Sequence, residues 1–268
     1  YTYFTRFRLL ENGALTKGFS IEGYPRFEPL PDWLCRLHQQ DGMCFVERFD
    51  WDGILLSSTP VSEIEPAPYS GFTVLSDKSI AYIAWDINVS QNRYTLHHLR
   101  VSRDGEPLSA VSVSLPNESF APTGAFSPNG GILSFTDAKL TGLREPYFSF
   151  LACSDTDGNL RFAESLKAKG NNCSVTQAVL RDDGSSTVYG TVIRSSRSVF
   201  RAFRLELDAS GDIVSRDVRD FTTRADYLYT VKLDPLGNAY VVTNDENPIA
   251  IVPFEDLPPL DDIEFVLE

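Results

Sequence analysis

The feature that most constrains this chain is a hairpin that recurs. Val199 to Val218, VFRAFRLELDASGDIVSRDV, alternates apolar and polar residues, turns at Ser210-Gly211 and alternates again. Period-two alternation marks a strand with one face covered, and a turn glycine can take the positive φ that a tight connection demands. The same phrase occurs at Phe4 to Ile21, Cys44 to Val61, Leu96 to Val113 and Phe148 to Ser165. Its turn glycines, Gly13, Gly53, Gly105, Gly158 and Gly211, stand 40, 52, 53 and 53 residues apart. A second hairpin lies between successive copies, with turns at Pro31-Asp32, Asp77-Lys78, Asn129-Gly130, Asp183-Gly184 and Gly237-Asn238. Each repeat thus holds four short antiparallel strands, and about 40–50 residues with four strands is the signature of a β-propeller blade.

The repeat fills nearly all of the 268 residues, so the chain reads as one all-β domain, residues 1–268. Four-stranded antiparallel blades fall at 24–64, 69–117, 121–168 and 173–221, and 226–247 supplies two inner strands of a last blade. Residues 1–22 supply outer strands alone. Pairing them with 226–247 closes the ring and removes a sheet edge that would invite aggregation. That closure gives five blades, and six result if Ile249 to Phe254 adds a strand to the last one. Residues 248–268, rich in proline and acid, read as a C-terminal strap.

A net charge of −13 argues against a nucleic-acid partner, because phosphates need a positive field. No apolar run reaches the length of a membrane-spanning helix, so the chain is not expected to span a membrane by helices. Cys35 and Cys44 face each other if their hairpin turns at Gln39-Gln40, and Cys153 and Cys173 bracket a connection between blades. Two local disulfides and export to the periplasm, cell surface or medium follow from that pattern. The alternative is four buried thiols, since cysteine packs well in cores. No Cys-x-x-Cys pair occurs and the histidines are His38, His97 and His98, so neither a metal nor a cofactor is expected.

The phrase Leu207-Asp208-Ala209-Ser210-Gly211-Asp212, echoed by Leu233-Asp234-Pro235-Leu236-Gly237-Asn238, resembles the degenerate β-propeller repeats of bacterial secreted and surface proteins. The resemblance implies the fold; members of that group differ widely in role.

Function is expected on the rim that carries the longer connections, since long loops on a rigid scaffold are where binding residues concentrate. That rim would hold Asp86, Asn88, Asn92 and Arg93 from one blade, Asp137, Lys139 and Arg144 from the next, then Arg194 and Arg197, and last Asn244, Asp245 and Glu246. Such a ring of acids and bases suits a protein or glycan ligand bound without chemistry. Asp86, Asp137 and Asp245 could alternatively serve a carbohydrate-active hydrolase, which needs two acids at a controlled separation. His97 and His98 are neighbours in a strand and so point to opposite faces, which prevents them from sharing a site. Asp50-Trp51-Asp52-Gly53 and Asp155-Thr156-Asp157-Gly158 look like pieces of a calcium loop but fall on the repeated turn, where Asp and Gly serve the turn itself.

Overall fold

The computed structural model describes residues 4–11, 14–22, 27–29, 34–41, 43–62, 71–88, 93–115, 119–120, 122–139, 146–194, 199–221, 230–243 and 250–268. The chain is all-β, built of several antiparallel sheets. Three units repeat one four-strand plan: β3 (Phe27–Pro29) to β6 (Leu55–Ser62) by way of β4 (Leu34–Gln40) and β5 (Met43–Phe49); β7 (Phe72–Val74), β8 (Ile80–Asn88), β9 (Arg93–Val101) and β10 (Pro107–Leu115); and β11 (Thr123–Phe126), β12 (Ile132–Ala138), β13 (Phe148–Ser154) and β14 (Leu160–Ala168). A fourth unit follows the same plan with β15 (Asn172–Leu180), β16 (Ser186–Arg194), β17 (Val199–Leu207) and β18 (Ile213–Phe221). A three-stranded sheet of β19 (Thr230–Leu233), β20 (Ala239–Thr243) and β21 (Ala250–Pro253) follows, and β1 (Phe4–Glu11) pairs with β2 (Ala14–Glu22) as a separate hairpin.

The sheets stack face to face in chain order, and the strand period explains how. Along β8, Ile80, Tyr82 and Ala84 pack towards β4 and β5, whereas Ala81 and Ile83 pack towards β12 and β13. Along β13, Phe150 and Ala152 join the core shared with β8–β10, and Leu151 and Cys153 join the core shared with β15–β18. A middle strand covered on both faces reads as an unbroken apolar run rather than an alternation. Four separate cores result, one in each interface between consecutive sheets from β3–β6 onward. The arrangement is propeller-like in this coarse sense.

Turns seat each unit on the one before it. Gly158 turns at φ 81°, and a Cβ there would lie 2.7 Å from the Cβ of Ser109 on the preceding sheet. Gly211, at φ 97°, would meet the Phe162 ring at 2.8 Å. Glycine is required at both positions twice over, by conformation and by close approach. The suspected calcium pieces are such turns. Asp155 Oδ1 accepts the N–H groups of Asp157 (3.0 Å) and Asn159 (2.8 Å), and Asp50 Oδ1 accepts those of Asp52 (2.8 Å) and Ile54 (2.9 Å).

Two expectations are corrected. Among the described residues β1 and β2 pair with each other and not with 226–247. The edge of β20 on which they would have added is taken by β21, whose Ile251 and Val252 lie opposite Val242 and Val241. The cysteines are not joined by disulfides. The β4–β5 hairpin turns beyond Gln40, which lies opposite Met43 with Asp41 at φ 52° between them, and not at Gln39-Gln40. Asp-Gly is the stronger two-residue turn signal because both central positions can take positive φ. The register then sets Cys35 opposite Arg48 and Cys44 opposite Gln39. Cys153 and Cys173 lie in the core between β11–β14 and β15–β18. Burial pushes the Cys153 thiol up to about 12 and raises Cys173 as well, so both stay protonated and inert.

His98 ties two sheets together. Its Nδ1 lies 2.8 Å from Ser154 Oγ and its Nε2 2.7 Å from Ser134 Oγ, on β13 and β12. His97 points to the other face and meets Ser112 Oγ at 2.8 Å on β10. Burial lowers His98 to about 3, so the imidazole is neutral in the fold. The unfolded chain takes up a proton near pH 6.5 and the folded one only near 3. Stability is therefore full above pH 6.5 and is lost as pH falls through that window, by about 2 kcal/mol at pH 5. Urea midpoints at pH 7.5 and 5.0 check this: the drop should shrink in His98→Gln, and an equal drop in both proteins would refute the assignment.

Candidate functional site

The expected rim takes shape where β12 ends and β13 and β15 begin. Asp137 is the last but one residue of β12 and sits half-buried there. Its Oδ1 accepts the Ser149 hydroxyl at 3.0 Å and its Oδ2 the Ser174 hydroxyl at 2.7 Å. Ser149 Oγ in turn accepts the Val175 N–H at 2.7 Å. One carboxylate thus fastens β12 and β13 to the first strand of the next unit. Burial raises the Asp137 carboxyl above its ordinary range, while the two hydroxyl donors act in the opposite direction.

Around it lie groups that strand alternation does not reveal. Phe120 precedes β11; its N–H donates to Asp137 O at 2.9 Å and its carbonyl accepts Thr136 Oγ1 at 2.5 Å. Tyr147 precedes β13; its N–H donates to Asn172 Oδ1 at 2.8 Å and its carbonyl accepts the Cys173 N–H at 2.9 Å. The two rings lie 6.0 Å apart at 44° and stay 55% and 37% exposed. Lys139 Nζ stands 5.3 Å above the Tyr147 ring. The sequence signal for both aromatics is their place outside any alternating run and within two residues of a proline, Pro122 and Pro146.

The structure therefore brings together Asp137 and Lys139 of the expected set, with Phe120, Tyr147, Ser149 and Ser174 added. Asp86, near the end of β8, is exposed. Asn88 and Arg194 end strands and Arg93 begins one, but their side chains lie outside the description. Asn92, Arg144, Arg197, Asn244, Asp245 and Glu246 lie outside the described residues altogether. A separate cavity of about 290 Å³ opens beside Lys169, Asn171 and Arg201, under Asp262 and Ile263 of the C-terminal segment. Its cations are already held: Arg201 by Asp220 (2.7 Å) and Asp262 (3.4 Å), Lys169 by Glu264 (3.1 Å). No cluster of three or more His, Cys, Asp or Glu suited to a metal ion occurs among the described residues.

No protein-family model matches the chain, and no curated protein matches it. Solved structures do show a distant likeness. A cobalt-substituted Synechocystis apocarotenoid oxygenase shares 14% identity at a TM-score of 0.41, and a chimera of that oxygenase with RPE65 shares 12% at 0.40. Either comparison covers 85% of this chain and 59% of the other, so the chain spans about three fifths of their length. Nothing about this chain's activity follows from them.

Proposed function

We propose that the chain is a non-catalytic binding module that presents its ligand site on the rim around Asp137. The observation that supports this reading is the state of that carboxylate. Both of its oxygens are engaged by serine hydroxyls that join one sheet to the next, so it acts as a fastener and not as an acid or nucleophile waiting for substrate. A glycosidase needs two carboxyl groups facing one bond. With Asp137 committed, what the described residues around it offer to a ligand is a pair of exposed rings and a lysine. The cysteine pattern no longer argues for export, because all four thiols are buried and unjoined.

The same proposal takes the sheets as blades around a central axis, six in number, with β1–β2 an incomplete one. Two facts support it. Four of the five first strands, β3, β7, β11 and β19, are short, three or four residues, as crowding at a centre requires, while β15 runs to nine. The sheet β3–β6 also buries Leu34, Arg36, Glu47 and Phe49 on the face turned away from β7–β10, so it too has a neighbour on both sides.

The test is a screen of glycosides and oligosaccharides for turnover, with Asp137→Asn alongside. Turnover by neither protein is expected. Hydrolysis by the native chain that disappears in the variant would overturn the binding-module reading.

A further inference from the structure

We infer that the Phe120–Tyr147 pair with Lys139 receives a carboxylate-bearing sugar residue of an acidic glycan. The inference rests on the binding-module reading and names its ligand class. Three features converge on it.

The rings are exposed but their backbones are pinned. Phe120 is tied through its N–H and its carbonyl, and Tyr147 likewise, each by one partner on either side of the peptide. Aromatic rings held out to solvent on an ordered backbone can stack on a ligand with little further loss of freedom. The negative face of such a ring attracts the slightly positive C–H face of a pyranose, and two rings tilted at 44° offer adjacent, non-parallel faces.

Lys139 supplies the charge. Elsewhere on this unit and the next, Lys167, Lys169, Arg201, Arg204, Arg216 and Arg219 each hold a carboxylate. Among the described residues no carboxylate pairs with Lys139, and the nearby Asp137 is occupied by Ser149 and Ser174. Its ammonium instead stands over Tyr147, at the border of the stacking surface. A sugar stacked there can set a ring carboxylate against that ammonium as a charge-assisted hydrogen bond.

Alternatives fit less well. A neutral sugar leaves the lysine unused. A nucleic acid needs several cations along its phosphate backbone, and among the described residues this site offers Lys139 alone. An acidic peptide satisfies the lysine but brings no flat C–H face for the rings.

The experiment is calorimetric titration with oligogalacturonate, oligoalginate, hyaluronan fragments and sialyllactose, against neutral xylo- and cello-oligosaccharides of matched length. Phe120→Ala, Tyr147→Ala and Lys139→Gln serve as variants, with thermal melts to confirm that these exposed changes leave the fold intact. At least one acidic sugar should bind and lose affinity as salt screens the lysine. Phe120→Ala and Tyr147→Ala should each weaken it about tenfold or more. Lys139→Gln should erase the preference for acidic over neutral sugars. A folded native protein that binds no acidic sugar at millimolar concentration overturns the inference, as does full affinity in Phe120→Ala. A protein ligand lost in Phe120→Ala, with no sugar bound, also overturns it but leaves the binding module standing. Turnover abolished by Asp137→Asn would instead sink the module reading itself.

Discussion

Removing residues 254–268 is expected to leave a chain that unfolds at much lower urea and aggregates, and Phe254→Ala alone should cost about 3–5 kcal/mol. Phe254 is fully buried between the β15–β18 and β19–β21 sheets, edge-on to Tyr189 at 6.3 Å. Arg204 and Arg219 lie over its ring at 5.6 and 5.5 Å. From there the segment doubles back across two units. β22 (Pro259–Leu260) adds a fifth strand beside β18, and β23 (Phe265–Leu267) adds one beside β14. Ile263 plugs the core between those sheets. Its acids meet bases on the strands they cover: Glu255 with Arg204 and Arg219, Asp261 with Arg216, Asp262 with Arg201, Glu264 with Lys169 and Glu268 with Lys167. Singly such exposed pairs contribute about 0–1 kcal/mol, so most of the loss should come from Phe254, Ile263 and the bared strand edges. Denaturant curves and light scattering decide it. A truncated chain that stays monomeric with an unchanged midpoint would refute this account of the segment.

The hairpin repeat was legible because each turn carries its own chemistry. Asp50, Asp155, Asp208 and Asp234 all cap their turns with a side-chain oxygen, and a glycine closes all four. What faces what was not legible. Ile80 to Ala84 are all buried, so alternation gives no sign of which residues meet which neighbour. The edge strands β22 and β23 are two and three residues long, and their partners lie far back in the chain. No local pattern can encode such pairings. Asp137 could be named from its place at a strand end, but Ser149 and Ser174 could not, because two serines in separate strands carry no signal until register sets them beside a carboxylate. The misread cysteine pair shows the cost of one turn: moving it from Gln39-Gln40 to beyond Gln40 slides every cross-strand partner.

The pair Arg36 and Glu47 gives the second large effect. They stand directly opposite each other on β4 and β5, each 8% exposed. Arg36 Nε donates to Glu47 Oε2 at 2.7 Å, a second guanidinium nitrogen donates to the same oxygen, and the guanidinium lies 5.2 Å from the centre of the Phe49 ring. Burying two charges costs nearly what their attraction returns, so the pair itself is worth little; removing either side chain takes this partner from a buried charge. Glu47→Ala and Arg36→Ala are each expected to lower stability by about 3–5 kcal/mol. Arg36→Met combined with Glu47→Leu should recover most of that loss, because side chains of similar volume then fill an apolar face beside Leu34 and Phe49. The four proteins are compared by urea curves at pH 7. Single changes that each cost under about 1 kcal/mol would mean the pair is solvated, as surface pairs are. The face of β3–β6 turned away from β7–β10 would then be open to solvent.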